Sequence, residues 1–122
     1  MPAFPSNTLI TELFGLITTN TPHLALYTSN PTAANSGTEV TGGSYARQPI
    51  TFGSISGGMI SNTGAVTFTS LPTANITHWG VLSALTGGTL RAFGPFPATV
   101  VAVAGDDLSV PIGQIDLTFA GS

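Results

Sequence analysis

The residues that could carry out acid–base chemistry are few in this sequence and lie far apart. The chain of 122 residues has five acidic residues, which are Glu12, Glu39, Asp106, Asp107 and Asp116. A glycosidase needs two carboxylates that face each other across one cleft, but these acids fall on a predicted helix, a long loop, a turn and a final strand. Asp106 and Asp107 follow a Gly, and Asp side chains at turns bond to the nearby backbone. The sequence therefore predicts no carboxylate-based active site.

The sequence also gives no support for a metal site, a catalytic nucleophile or a phosphate-binding site. His23 and His78 each stand alone on a predicted strand, without a second ligand at the spacing of a metal site, and the chain has no Cys and no Gly-x-Ser-x-Gly motif. Two Arg and no Lys are too few cations to bind a phosphate backbone, which excludes nucleic-acid binding. Arg47 and Arg91 are each expected to pair with a carboxylate or with carbonyl oxygens, within the chain or across an interface. The sequence thus predicts no enzyme, no cofactor and no bound metal.

The elements that must position these residues are organised around a long antiparallel hairpin. Residues Ile76 to Leu82 alternate with the period of a strand, and the run from Leu90 to Phe96 returns. Between them, Thr86-Gly87-Gly88-Thr89 supplies residues that accept the positive φ of a hairpin turn. Pro95 and Pro97 each lack a backbone donor, so the second strand is not expected to be central over its full length.

Trp79, the only Trp of the chain, lies on the first strand of this hairpin. A lone Trp in a small β domain is either a sugar-stacking platform or a core anchor. In strict alternation its neighbours on the same face are Thr77 and Val81, which leaves no flat aromatic surface for a ligand. We therefore predict that Trp79 is the core anchor.

The remaining sequence predicts one domain that is mainly β. Residues 1–22 form an N-terminal arm and a short helix, because apolar residues recur there at spacings of three and four. Residues 23–122 contain about eight short apolar runs separated by Gly, Pro, Asn or Asp, which is typical of an antiparallel β-sandwich or a small barrel. Leu24 and Leu26 should share one face of the first strand, and Pro49 marks an edge strand over residues 45–52. Further strands are predicted over residues 65–69, 99–103, 108–112 and 114–119.

A loop of fifteen residues, Asn30 to Ser44, is the longest predicted connection. Loops of this length in a compact domain are usually functional, so we expect it to be the main surface for contact with other proteins. Glu39 and Val40 are the expected centre of that contact, a carboxylate beside an apolar residue. The alternative is that the loop folds back over its own sheet. The full set of predicted interface residues is Pro31, Asn35, Glu39, Val40, Arg47 and Arg91.

The composition indicates a subunit of an assembly. Only 6% of the residues are charged and the formal net charge is −3, whereas an ordinary soluble domain carries about a quarter of its residues as charged side chains. A neutral surface of Thr, Ser, Gly and Ala loses little side-chain entropy on docking, which favours a homo-oligomer, with a trimer as the expected form. The alternative is a polar secreted β domain. No apolar run approaches the length of a membrane span, and we expect no signal peptide.

Three blocks of sequence resemble a family of small structural proteins of tailed bacteriophages. The blocks are Leu-Tyr-Thr-x-Asn-Pro-Thr with Gly-Thr-Glu-Val-x-Gly-Gly-x-Tyr-Ala-Arg-Gln (residues 26–48), Val-Thr-Phe (66–68) and Thr-His-Trp-Gly-Val with its Gly-Gly hairpin (77–88). The resemblance extends over roughly residues 24–119, and the N-terminal helix also fits it. It implies a non-enzymatic component of the virion, assembled in the cytoplasm of the bacterial host.

Two locations on the virion are compatible with this resemblance. A capsid decoration (cement) protein on the capsid exterior, bridging subunits of the major capsid protein, is the first expectation, because the chain has no heptads and no collagen-like repeat for a fibre shaft. The alternative is a tail-fibre, neck or collar module that binds a glycan of the host. A free carbohydrate-binding module is the third possibility considered.

Overall fold

The computed structural model describes residues 15, 22–32, 34–53 and 59–118, and the fold is given for these residues. Eight strands follow one another there: β1 (His23–Tyr27), β2 (Gln48–Pro49), β3 (Met59–Ser61), β4 (Val66–Leu71), β5 (Ala74–Leu82), β6 (Leu90–Ala102), β7 (Asp106–Val110) and β8 (Asp116–Thr118). Apart from Gly15 and Pro22, the predicted N-terminal arm and helix lie outside the described residues. The end of the last predicted strand, at Phe119, also lies outside them.

The strands form three antiparallel sheets. The largest has the order β2-β1-β5-β6, and two smaller sheets pair β3 with β8 and β4 with β7. The prediction of a mainly β, antiparallel fold is confirmed. The predicted edge strand around Pro49 is indeed at an edge, but it is only two residues long rather than the eight of residues 45–52. Pro49 has no backbone N–H to donate to a longer ladder, and one further hydrogen bond joins the N–H of Ile50 to the carbonyl oxygen of Pro22.

The central hairpin is formed by β5, a loop over residues 83–89, and β6. Gly87 and Gly88 in that loop have φ values of 62° and 74°, the left-handed conformation that the turn pattern predicts. β6 continues for 13 residues through Pro95 and Pro97, so residues 99–102 are in a strand as predicted but continue β6 and do not form a separate strand. Because β6 is an edge strand, it tolerates residues that cannot donate on its open side.

A register shift in β5 changes which residues share a face. Strict alternation predicts Ile76 and Trp79 on opposite faces, but the pairing of β5 with β6 shifts between Ile76 and His78. Ile76, Trp79 and Val81 are consequently all buried in the same core cluster. Two steps along β5, from Ile76 to His78, face five along β6, from Val100 to Pro95, so the ladder is interrupted there and the side chains do not alternate strictly across it.

One large core cluster contains residues from all three sheets. Leu24 and Leu26 of β1 belong to it, together with Phe68 of β4 and Leu117 of β8. The other face of β1 contributes Ala25 and Tyr27 to a smaller buried cluster with Leu82. The predicted division of β1 into two faces is therefore confirmed. Both faces of the strand are buried, which fixes its register against one-residue slips.

Trp79 lies in the large cluster with 6% of its surface exposed. Its cross-strand partner on β6 is Gly94. A Cβ atom at Gly94 would lie only 2.7 Å from Cζ2 of Trp79, so the indole covers the bare backbone of the glycine. This close approach of an aromatic ring to a strand glycine holds the central hairpin together on its core side.

The shorter strands match the predicted patterns. Val66 and Phe68 of β4 are buried while Thr67 and Thr69 are exposed. In the last strand region Ile115 and Leu117 are buried, and the residue between them, Asp116, is exposed. Alternation of this type is typical of antiparallel strands that cover a core on one side and meet solvent on the other.

Asn62 is buried, and its side chain bonds to the backbone of two loops and of Ile115. Its side-chain amide donates to the carbonyl oxygens of Gly64 (2.9 Å) and Pro111 (3.1 Å), and its Oδ1 accepts from the backbone N–H of Ile115 (3.0 Å). Its own backbone bonds to Ile115 and Gly113. Asn62 therefore supplies a partner to three backbone groups, among them the N–H of the buried residue Ile115.

Candidate functional site

The final part of the long loop pairs with the open edge of β1. The N–H of Thr28 donates to the carbonyl oxygen of Thr38, and the N–H of Val40 donates to that of Leu26, both at 2.9 Å. Glu39 thereby forms an antiparallel bridge with Tyr27. This is the geometry of the alternative prediction, in which the loop folds back over its own sheet.

The tip of the same loop is a closed turn. The N–H groups of Ser36 and Gly37 both donate to the carbonyl oxygen of Pro31. The hydroxyl of Tyr27 donates to Oδ1 of Asn35 at 2.9 Å, and Asn35 has a φ of 53°. Asn is among the residues that tolerate this left-handed backbone. The exposed tip is thus fixed by contacts within its own chain.

An ion pair between Arg47 and Glu39 joins the final part of the long loop to the segment that follows it. Arg47 donates two hydrogen bonds to Glu39, from Nε to Oε2 and from Nη2 to Oε1, each at 2.9 Å. The hydroxyl of Tyr45 donates to the same Oε2 at 2.6 Å and accepts from the backbone N–H of Leu26 at 3.1 Å. We refer to Glu39, Tyr45 and Arg47 as the Arg47 cluster. Two parallel bonds between a guanidinium and a carboxylate fix both the distance and the orientation of the two groups.

Arg47 also reaches the loop of the central hairpin. Its Nη1 donates to the carbonyl oxygens of Ala84 (3.0 Å) and Gly87 (2.8 Å). One guanidinium therefore holds the long loop through Glu39 and the hairpin loop through two carbonyl groups. Arg suits this role because its rigid fork presents several donors at fixed angles.

The pKa values follow from this geometry. Burial by itself raises the pKa of the Glu39 carboxyl, but the hydrogen bonds from Arg47 and Tyr45 and the charge of Arg47 lower it further, so the net pKa is below the ordinary value. The pKa of the Tyr45 hydroxyl is raised, first by burial and then by its bond to the Glu39 carboxylate. The pKa of Arg47 is raised by its bonds to Glu39. The cluster is thus ionised as a pair around neutral pH.

A cleft of about 450 Å³ opens above the Arg47 cluster. Residues 40–42 of the long loop and residues 85–87 of the hairpin loop form its walls. Both carboxylate oxygens of Glu39 already accept hydrogen bonds at the floor of the cleft. A carboxylate whose pKa is lowered and whose oxygens are occupied is a poor general base, so the arrangement positions loops rather than moving protons.

The other candidate groups have local structural roles. Oδ2 of Asp106 accepts from the N–H of Val103 at 2.8 Å, and Oδ1 of Asp107 accepts from the N–H of Ser70 at 3.0 Å. Asp106 thus has the turn role predicted for the Asp pair, whereas Asp107 bonds to a strand 37 positions away in the chain. Nδ1 of His78 lies 2.8 Å from the hydroxyl oxygen of Thr77. Glu12 lies outside the described residues. Among the residues that are described, no cluster of His, Cys, Asp or Glu has the geometry of a metal site, and no helix is long and apolar enough to cross a membrane.

The predicted interface residues have different environments in the fold. Val40 and Pro31 are buried within the chain, and Glu39 is engaged by Arg47. The expected centre of contact was Glu39 with Val40. Because Val40 is buried and Glu39 is paired with Arg47 inside the chain, these two side chains do not face outward together. Asn35 and Arg91 are exposed. The wider interface role of this set stays a prediction.

The two Arg residues differ in their pairing within the chain. No carboxylate lies within ion-pair distance of Arg91 in the described part of the chain, so its pairing across an interface stays a prediction, whereas Arg47 pairs with a carboxylate and with carbonyl oxygens as predicted. Sequence reasoning missed Tyr45 and did not identify which carbonyl groups Arg47 meets. The spacing of Tyr45 and Arg47, two residues apart on an extended segment, is a signal that could have placed both side chains on one side of the chain.

Removing the cation of the Arg47 cluster is expected to destabilise the fold. In Arg47→Met the carboxylate of Glu39 keeps only the Tyr45 hydroxyl as a donor, and we expect the free energy of unfolding to fall by about 2 kcal/mol, as for other hydrogen bonds to charged groups. Chemical denaturation measures this change. Arg91→Met is the matched control, since Arg91 is exposed and its replacement should change stability by less than about 0.5 kcal/mol. Equal effects of the two substitutions would contradict the role given to the cluster.

Acid is expected to weaken the fold through Glu39. Its pKa is lowered in the folded chain, so the ionised carboxylate stabilises the fold above the unfolded pKa of about 4.3. That stabilisation is lost as the pH falls through the lower, folded pKa. The melting temperature of the parent should therefore fall more steeply below about pH 4.3 than that of Glu39→Gln. Parallel curves for the two proteins would show that Glu39 is not responsible.

The described residues form a mainly β module in which the Arg47 cluster joins two loops. The family model described as Podophage GP4 fiber I protein gp80 matches residues 3–118. The chain belongs to this family of phage virion structural proteins, which confirms the resemblance found in the sequence. A comparison with curated proteins gave no match.

Proposed function

We propose that this protein is a non-enzymatic structural subunit of a phage fibre. The observation that carries the proposal is the family match over residues 3–118, whose description names a fibre protein. The sequence alone favoured a capsid decoration protein, because it has no fibre-shaft repeat. The description of the family favours the fibre instead, and a single globular module can serve at a junction or tip of a fibre without forming its shaft.

The structure supports a role in contact rather than catalysis. The Arg47 cluster holds the long loop and the hairpin loop in fixed positions, and both loops expose residues to solvent. Loops that are ordered before docking lose little conformational entropy when a partner binds. We infer that these loops contact other virion proteins, and that Asn35 at the exposed tip takes part.

The location can be tested on purified phage particles. We expect far fewer copies of this chain per particle than of the major capsid protein, measured by quantitative mass spectrometry. We also expect gold-labelled antibodies to bind at the tail. A copy number close to that of the capsid protein, with label over the whole head, would contradict the fibre and support capsid decoration. A density map of the intact particle gives the same distinction directly.

A further inference from the structure

The outward face of β6 carries a row of exposed side chains. β6 is an edge strand of 13 residues. Its exposed residues include Arg91, Phe93, Pro95, Pro97, Thr99 and Val101, with Ala98 also exposed between them. The pairing of β6 with β5 shifts twice along this stretch, so these residues form a row along the strand without strict alternation. Val103, just beyond the strand, is 59% exposed, Val101 is 68% exposed and Phe93 is 38% exposed. Exposed apolar residues aligned on one strand are unusual on a free surface and mark a site of interaction.

The two ends of this row carry opposite charges. Arg91 lies at one end, and the described residues provide no carboxylate for it. Asp106 lies at the other end, since its carboxylate accepts a hydrogen bond from the N–H of Val103, and the adjacent Asp107 is also exposed. The residues between the two ends are uncharged. The row is therefore positive at one end, apolar in the middle and negative at the other end.

We propose that two copies of this chain associate through this face of β6, with the two rows running antiparallel around a two-fold axis. In that arrangement Arg91 of each copy meets Asp106 of the other, and Phe93 of each copy lies toward Val103 of the other. A parallel arrangement would instead place the two Arg91 side chains side by side. A surface that carries both complementary charges is self-complementary under a two-fold axis.

The contact uses side chains rather than a shared β-ladder. Pro95 and Pro97 have no backbone N–H, so this part of the edge cannot donate to a second strand. The proposal differs from the trimer expected from the composition, because a bipolar row favours a pair. It holds whether the protein sits on a fibre or on the capsid, so it does not rest on the proposed function.

The proposed interface is small. A strand of 13 residues is roughly 40 Å long at about 3.3 Å per residue, and one row of side chains buries less area than a stable standard-size interface. We therefore expect a weak dimer that forms with rising concentration. Sedimentation velocity up to about 1 mM protein covers the range in which such a dimer is populated.

The apolar centre of the row is tested by one substitution and a matched control. Val101→Glu places a charged carboxylate within the apolar part of the contact in each copy, and its desolvation should raise the dimer Kd about tenfold or more. Ile112→Glu alters an apolar residue that is similarly exposed, at 66%, but lies outside the row, and it should leave the Kd unchanged. Both side chains are exposed, so neither change should affect thermal unfolding, which is measured in parallel. Equal Kd values for the two variants would overturn the proposal.

The charged ends are tested by a swap. Arg91→Glu and Asp106→Arg should each weaken self-association, because each places like charges together at both ends. An equimolar mixture of the two variants should recover a dimer, since both contacts then join opposite charges. Should Asp106→Arg fail to fold, salt provides the second readout: added salt should weaken the parent dimer more than that of Arg91→Glu. A monomer at all concentrations, a trimer, or no recovery in the mixture of folded variants would overturn the proposal.

Discussion

Trp79→Ala is expected to lower the free energy of unfolding by about 3–5 kcal/mol, the range for removing a large buried aromatic side chain. Trp79 is 6% exposed and lies in the cluster that joins all three sheets. Its ring also covers Gly94 on the neighbouring strand, where no side chain can replace it. The variant therefore leaves a cavity at the centre of the hairpin rather than at the edge of the core.

The measurement is chemical denaturation monitored by far-ultraviolet circular dichroism, since the variant has no Trp for fluorescence. Phe93→Ala is the matched control, because Phe93 is an aromatic residue on the outward face of the same hairpin and is 38% exposed. Phe93→Ala should lower the free energy of unfolding by much less than Trp79→Ala does. A Trp79→Ala protein as stable as the parent would show that the side chain is a surface platform, and glycan binding would then be the first activity to test.

Asn62→Ala is expected to cost about 3 kcal/mol of unfolding free energy. The substitution leaves the N–H of Ile115 and the carbonyl oxygens of Gly64 and Pro111 without the partner that Asn62 provides. A buried polar group without a partner costs about 1–3 kcal/mol, and here three groups lose one side chain together. The expected loss of unfolding free energy is close to the upper value for one unpaired group and not three times that value. The reason is that Gly64 and Pro111 lie on loops, where water can bond to their carbonyl oxygens after the substitution.

Asn75→Ala is the control for this prediction. Asn75 lies exposed on β5, so its removal should change stability by less than about 0.5 kcal/mol. Thermal or urea unfolding of both variants measures the difference. If Asn62→Ala and Asn75→Ala have the same stability, the hydrogen bonds of Asn62 do not hold the loops together.

Local patterns predicted the parts of the fold that depend on neighbouring residues. The two faces of β1 follow from the alternation of Leu24 and Leu26 with Ala25 and Tyr27, and the structure buries them as predicted. The turn role of Asp106 follows from residues close together in the chain, since its partner is the N–H of Val103. In each case the residues that determine the local structure lie only a few positions apart in the chain.

The contacts that sequence reasoning missed join residues far apart in the chain. Arg47 meets Ala84 and Gly87 across 37 and 40 positions, and no local pattern marks a carbonyl group as a partner. The register shift beside His78 arises from the pairing of β5 with β6, so the alternation of β5 alone could not reveal it. The length of β6 was underestimated because proline argues against a strand, although an edge strand accepts it.

The prolines of β6 also bear on how the chain behaves when many copies are made at once. Unpaired edge strands act as templates for cross-β aggregation, and natural proteins block them with residues that interrupt the ladder. Pro95 and Pro97 lie in the middle of the long edge strand, so a second strand cannot add along its whole length. We expect this interruption of the edge to keep newly synthesised copies from stacking into fibrils.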